Sequence, residues 1–114
     1  MDNLRISLVQ GDTLWHDPAG NRDYYGALIA PLRGITDLVM LPETFTSGFS
    51  NDAIDQAEGM DGPTVQWMRD QAEALDAAVT GSVQLRVDGK VYNRMLWATP
   101  DGGLAHYDKR HLFT

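Results

Sequence analysis

The chain has 114 residues, of which 43% are apolar and 22% are charged, so the sequence predicts one small globular domain and not a disordered segment. Its formal net charge is −7 and it has no basic run, which argues against nucleic acid as a partner. It contains no cysteine, no apolar stretch long enough to cross a membrane and no visible signal peptide, so we expect a cytoplasmic protein without disulfides.

Two strands around one helix are predicted in the first part of the chain. Apolar alternation predicts a first strand over Leu4–Gln10, and Asp17 followed by Pro18 is typical of an N-cap and the first helical position. The predicted buried stripe of this helix is Tyr24 or Tyr25, Leu28 and Leu32. We expect Pro31 to kink or end the helix. The segment DLVMLP, 37–42, has no polar alternation, so it predicts a parallel strand covered on both faces.

A long loop and a second helix follow these strands. The loop 43–62 is rich in Gly, Ser, Asp and Thr, and long loops in compact domains are often functional. Pro63 suits the first turn of the second helix. The predicted buried face of that helix is Val65, Met68, Ala72 and Leu75.

The last third of the chain predicts three strands joined by hairpins. Residues 78–87 alternate and predict a half-buried strand. Its apolar side is Val79, Val83, Leu85 and Val87, and its polar side is Thr80, Ser82, Gln84 and Arg86. The Asp-Gly pair 88–89 predicts a tight hairpin to a return strand over 90–100, and a second turn precedes a strand over 104–109. The predicted fold is α/β, with a βαβαβ start followed by hairpin-joined strands and too few helices to cover both sheet faces.

Two charged residues stand out as candidate site residues. Glu43 follows the second parallel strand, and ligands of open α/β sheets bind at the carboxyl ends of such strands. It is either a general base in a cleft or an ordinary loop carboxylate or helix cap. Lys109 is either a cation that stabilises developing negative charge near that carboxylate or part of a solvated Asp-Lys-Arg turn.

Other polar and aromatic residues give weaker signals. The three histidines are scattered and do not form a convincing metal site, and no phosphate-binding glycine motif is present. Trp67 and Trp97 favour core or interface positions. Asn93 and Arg94 are either buried hydrogen-bonding residues or polar residues on a strand face, and the sequence leaves both readings open.

Two stretches taken together resemble the nitrilase superfamily, the carbon–nitrogen hydrolases. These are LVMLPETFTSGF and YNRMLWATPDGGLAHYDKRHLF. Pro42 and Glu43 match the Pro-Glu that ends an apolar strand in that family, and Lys109 to Phe113 match its Lys-x-His-Leu-Phe signature. Within the superfamily the sequence is most similar to the ω-amidase branch, the 2-oxoglutaramate amidases.

The resemblance implies a Glu–Lys–Cys mechanism without a metal or organic cofactor. Glu43 would accept the thiol proton as general base, and Lys109 would donate a proton and stabilise the oxyanion. The nucleophilic cysteine is absent from these residues, so the resemblance implies that it lies beyond them and that the 114 residues alone are inactive. Phe45 and Phe49 either wall the substrate pocket or belong to the core.

The resemblance also implies a larger assembly around the chain. Residues 1–114 would be the amino-terminal, incomplete part of one four-layer α-β-β-α sandwich domain, completed by the remainder of the polypeptide, and the protein would form a homodimer or higher homo-oligomer. The implied substrate is a small amide bearing a carboxylate, such as 2-oxoglutaramate. Alternatives are another amidase, a carbamoylase or an acyltransferase of the superfamily or, from another class, a non-catalytic α/β binding module.

Overall fold

The computed structural model of the protein describes residues 3–14, 17–47 and 57–108. The elements, in chain order, are β1 (Ile6–Leu8), α1 (Pro18–Ile29), a 3-10 turn (Ala30–Leu32), β2 (Leu38–Met40), α2 (Pro63–Leu75), β3 (Ala78–Val87), β4 (Lys90–Ala98) and β5 (Leu104–Asp108). This order confirms the predicted βαβαβ start followed by two hairpin-joined strands. β1 is shorter than the predicted span of 4–10.

The five strands form one mixed sheet in the order β1-β2-β3-β4-β5. β1 and β2 are parallel, as predicted, and β3 is parallel to β2, whereas β4 and β5 are antiparallel to their neighbours. Asp88 and Gly89 join β3 to β4 with positive φ angles of 51° and 78°, the conformation that favours Asp-Gly in hairpins. β2 ends at Met40 opposite Thr80, while β3 continues to Val87, so the far half of β3 is not paired with β2.

Helix α1 begins as predicted, and its buried stripe agrees with the prediction at Tyr25 but not at Leu28. The Asp17 side chain accepts from the Gly20 amide at 3.0 Å, and Pro18 is the first helical residue. The buried residues are Asn21, Tyr25 and Ile29. Leu28 is 43% exposed, so its predicted place in the core is wrong. The stripe follows the i, i+4, i+8 spacing from a polar residue, Asn21, and an apolar pattern alone could not identify it.

Helix α2 confirms its predicted start and face. Pro63 is its first residue, and Val65, Met68, Ala72 and Leu75 are all buried. Its amino terminus is fixed by Glu58, whose carboxylate accepts from the Thr64 amide at 2.8 Å and pairs with Arg22 of α1 at 3.4 Å. Neither described helix is long and apolar enough to cross a membrane.

The two faces of the sheet have different surroundings. Both helices share one core with the β3 residues Val79, Val83 and Leu85, which we call the helix face. Strand register places the intervening residues on the opposite, second face. That second face carries exposed apolar side chains, namely Ile6, Leu8, Met40 and Trp97, with exposed fractions of 50%, 74%, 37% and 41%.

The prediction that β3 is half-buried is wrong for most of its polar side. Thr80, Ser82 and Gln84 are all buried, and only Arg86 is exposed. The hydroxyls have internal partners: the Thr80 hydroxyl donates to the Leu96 carbonyl at 2.7 Å, and the Ser82 hydroxyl accepts from a backbone amide of the loop after β2. Polar side chains on this strand therefore serve internal hydrogen bonds instead of facing solvent.

Candidate active site

Glu43 begins a tight turn, 43–47, at the carboxyl end of β2. The Leu41 amide donates to the Thr80 carbonyl at 2.8 Å, so the chain leaves β2 alongside the part of β3 that β2 does not pair with. Thr44 then adopts a left-handed conformation with φ of 47°, which a β-branched residue rarely takes. Such a conformation persists only where surrounding contacts hold it, and it is frequent at functional sites.

Two buried side chains hold the backbone of this turn. The Ser82 hydroxyl of β3 accepts from the Thr44 amide at 2.8 Å. The Asn21 amide of α1 donates to the Thr46 carbonyl at 2.7 Å. Because Ser82 and Asn21 are fully buried, these bonds are shielded from water and fix the turn between the sheet and the helix layer.

The side chain of Glu43 is held by a residue of β4. Asn93 Nδ2 donates to Glu43 Oε1 at 3.1 Å, and register places Asn93 opposite Gln84 on the second face. Glu43 therefore reaches across β3 from the end of β2 to β4, and its side chain remains exposed. Asn93 itself is 2% exposed, which settles the open alternative in favour of a buried hydrogen-bonding residue.

A partly buried ion pair holds the end of β5. Arg94 binds Asp108 through two hydrogen bonds, Nε to Oδ1 at 2.6 Å and Nη2 to Oδ2 at 3.0 Å. The hydrogen bonds from Arg94 lower the pKa of the Asp108 carboxyl from its ordinary value, and partial burial opposes that shift. Asp108 directly precedes Lys109 in the chain, and Lys109 itself lies outside the described residues.

Phe45 occupies the core, one of the two roles predicted for it. Its ring has no exposed surface and lies 5.9 Å from the Tyr25 ring and 5.5 Å from the Trp67 ring, between centroids. Gly81 of β3 leaves room for it, since a Cβ there would stand 3.1 Å from the Phe45 ring. The Phe45 ring therefore packs in the core under the Glu43 turn and has no exposed atoms that could contact a substrate. Phe49 lies outside the described residues.

No group of three or more His, Asp or Glu side chains in the described part of the chain is placed to hold a metal ion. His106 is exposed on β5, whereas His16 and His111 lie outside the described residues. The chemistry available at the turn is therefore that of one oriented carboxylate at the end of a parallel strand.

The amino-acid sequence matches a known family. The sequence profile described as carbon-nitrogen hydrolase covers residues 5–114. The chain belongs to the carbon–nitrogen hydrolase family. The match includes Glu43, the segment that holds it and the Lys-x-His-Leu-Phe stretch that follows β5.

Solved and curated members of the carbon–nitrogen hydrolase family support this assignment. The crystal structure of XC1258 from Xanthomonas campestris, a superfamily protein with an arsenic adduct in its active site, is 74% identical with a TM-score of 0.96, over 99% of this chain and 43% of that one. Omega-amidase YafV of Escherichia coli K12 is 38% identical over 99% of this chain and 43% of its own length. The 2-oxoglutaramate amidase of Bacillus subtilis is 32% identical over 95% and 43%. The chain thus spans less than half the length of these relatives.

The sequence predicts Glu43 and Lys109 as candidate site residues but not the buried residues that contact the Glu43 turn. Asn21 and Ser82 were missed, and Asn93 was left open. The available signal was weak: an asparagine in the stripe of α1 and small polar residues within a strand otherwise rich in valine and leucine. Their importance comes from contacts made 25 to 50 residues away in sequence.

Proposed function

We propose that this chain is the amino-terminal part of an amide hydrolase of the ω-amidase type. Membership of the carbon–nitrogen hydrolase family supports an enzyme that cleaves a carbon–nitrogen bond. The names of two relatives, omega-amidase and 2-oxoglutaramate amidase, support a small amide that carries a carboxylate, such as 2-oxoglutaramate. We refer below to the polypeptide that extends this chain to the length of its relatives as the full-length protein.

In the proposed mechanism, Glu43 acts as general base and Lys109 as proton donor and oxyanion stabiliser. Glu43 accepts the proton of a cysteine thiol supplied by the remainder of the polypeptide, and the thiolate attacks the amide carbon. Lys109 stabilises the tetrahedral oxyanion and donates the proton with which the amine leaves as ammonia. The protonated Glu43 returns its proton to Lys109, which resets both groups. Glu43 then accepts a proton from water as the water oxygen attacks the thioester carbon, and it gives this proton to the cysteine sulfur as the carbon–sulfur bond breaks, which releases the acid and the thiol.

The observation that carries this proposal is the fixed carboxylate at the end of β2. Asn93 binds Glu43, and the next residue, Arg94, binds Asp108, which precedes Lys109. Lys109 is therefore joined to Asp108, which pairs with Arg94. Arg94 in turn is the neighbour of Asn93, which binds the Glu43 carboxylate. This arrangement supports a shared site for the two groups.

The exposed apolar strip on the second face supports a four-layer α-β-β-α sandwich. An apolar sheet face needs cover from another layer, and here the helices cover only the helix face. We propose that a second sheet from the remainder of the polypeptide covers Ile6, Leu8, Met40 and Trp97. We also propose that the full-length protein pairs through its helices into a homodimer or a higher oligomer.

The test is ammonia release from 2-oxoglutaramate by the full-length protein. We expect Glu43→Gln and Lys109→Ala to lower kcat by at least about a hundredfold, the usual contribution of a general acid or base, with the fold retained by circular dichroism. Glu73→Gln and Lys90→Ala change the same residue types at exposed positions and should leave turnover unchanged. Near-normal turnover in either site variant would refute the role assigned to that residue.

A second candidate is an amidase with another substrate. The (R)-stereoselective amidase of a Pseudomonas species is 34% identical over 96% of this chain and 41% of its own length, which favours including other aliphatic amides in the assay. A full-length protein that releases ammonia from such an amide and not from 2-oxoglutaramate supports this second candidate. A protein that turns over neither, although folded, supports a non-catalytic binding module.

A further inference from the structure

We propose that Asn93 is a positioning residue that orients the Glu43 carboxylate for proton transfer. This inference rests on the proposed function, because it assigns Asn93 a role in the reaction attributed to Glu43. Asn93 is buried on β4 and reaches a carboxylate that is 50 residues away in sequence. Its hydrogen bond goes to the proposed base, so we expect its effect to be exerted through Glu43.

The chemistry of the contact fixes the orientation of the amide. An ionised carboxylate only accepts hydrogen bonds, so the Asn93 atom that faces Glu43 Oε1 at 3.1 Å must be the NH2 group. The reverse orientation would place two oxygen acceptors against each other. Asn93 Oδ1 therefore points away from Glu43, and the hydrogen bond selects one direction of the carboxylate among its rotamers.

The carbonyl oxygen of the Asn93 side chain, Oδ1, indicates that fold stability alone does not explain an asparagine at this position. Asn93 Oδ1 is buried and makes no hydrogen bond to any described residue. A buried carbonyl without a donor destabilises a fold, and each such group in a native protein needs an explanation. A leucine would fill the same branched shape without that penalty. Among the described residues, the one hydrogen bond that the Asn93 side chain makes is from its NH2 group to Glu43.

The neighbours of Asn93 keep it in place. Arg94, the next residue, is anchored to Asp108 by two hydrogen bonds, and β4 is paired on both sides, with β3 and β5. The backbone that carries Asn93 is therefore held by the pairing of β4 with its neighbouring strands. A donor held on a strand beside the Glu43 carboxylate is the arrangement expected of a supporting residue.

The first variant to test is Asn93→Leu in the full-length protein. Leucine keeps the branching and the number of side-chain heavy atoms but removes the donor. We expect kcat/KM for amide hydrolysis to fall by about ten- to a hundredfold, mainly through kcat, the equivalent of losing one hydrogen bond to a charged group. The melting temperature of Asn93→Leu should be at or above that of the core variant Leu75→Ala, because the substitution also removes the buried Asn93 Oδ1.

Asn93→Asp and Leu75→Ala complete the experiment. Asn93→Asp places a second carboxyl group against Glu43, and two carboxyl groups at this distance resist ionising together, so the acidic limb of the kcat/KM profile should move to higher pH. Leu75→Ala opens a cavity in the core under α2, away from the turn. It should lower the melting temperature and leave the acidic limb where the wild type has it.

Reduced kcat for Asn93→Leu together with the shifted limb for Asn93→Asp supports the inference. Wild-type kcat/KM in Asn93→Leu, or an acidic limb of Asn93→Asp that coincides with the wild type, overturns it while the proposed function stands. A wild-type full-length protein that hydrolyses no amide removes the proposed function, and this inference with it.

Discussion

Replacing Ser82 with alanine should loosen the Glu43 turn, because the Ser82 hydroxyl accepts from the Thr44 amide at 2.8 Å. Both residues are fully buried, so alanine leaves a buried donor without an acceptor, which destabilises the protein by about 1–3 kcal/mol. Thr44 is also left-handed, a conformation that costs about 1–2 kcal/mol and must be offset by the contacts around it. Removing one of those contacts lets the turn relax.

The assay compares urea unfolding and amide hydrolysis of the full-length protein with those of Ser82→Ala and Thr80→Val. Thr80→Val removes a hydroxyl two residues away on the same face of β3, which binds the Leu96 carbonyl and not the turn. We expect Ser82→Ala to lose about 1–3 kcal/mol of unfolding free energy and about ten- to a hundredfold in kcat. Thr80→Val should lose about 1 kcal/mol and keep its turnover.

Ser82→Thr provides the rescue, since it retains a hydroxyl at the same position. The reasoning is refuted if Ser82→Ala keeps both the stability and the turnover of the wild type. It is also refuted if Thr80→Val reduces turnover as much as Ser82→Ala, because the effect would then not depend on the hydrogen bond to Thr44.

Two further changes test the packing of the turn and the charge pair at the end of β5. Gly81→Ala puts a Cβ 3.1 Å from both Leu41 and the Phe45 ring, so it should destabilise the full-length protein by about 1–3 kcal/mol. In a double-mutant cycle measured by urea unfolding, Phe45→Leu should recover part of that loss. Arg94 lowers the pKa of Asp108, so the pair contributes stability above the unfolded carboxyl pKa of about 3.9 and loses it as pH falls through the lower folded value. Asp108→Asn should therefore flatten the acid-side decline in unfolding free energy, and an unchanged decline would contradict this assignment.

The elements with local signals were predictable from the sequence. Pro18 and Pro63 start helices because a first-turn proline needs no amide partner, and the buried face of α2 follows an uninterrupted apolar period. The Asp88-Gly89 turn likewise follows from two residues that tolerate positive φ. The position of Glu43 at a strand end was inferred from the apolar run before it.

The parts that depend on distant partners were not predictable in the same way. The polar side of β3 looked exposed because alternation reports chemistry and not what covers a face, and the Ser82 partner lies 38 residues earlier. Part of the α1 stripe was misplaced because Asn21 enters the core through hydrogen bonds to the backbone of Leu14 and to the Thr46 carbonyl, which an apolar pattern does not indicate. The Asn93 contact requires the β3–β4 register, which the hairpin turn sets but which does not by itself place Glu43.

The hydrogen bonds to the Glu43 turn also constrain the order in which the site is completed during synthesis. A nascent chain that ends before residue 82 contains Glu43 but not the Ser82 hydroxyl that binds the Thr44 amide. A chain that ends before residue 93 also lacks the Asn93 amide that binds the Glu43 carboxylate. Until then the left-handed threonine has only its intrinsic preference, which is unfavourable. Glu43 is therefore synthesised before the β3–β4 hairpin, and its side chain can reach its final position only after that hairpin has formed.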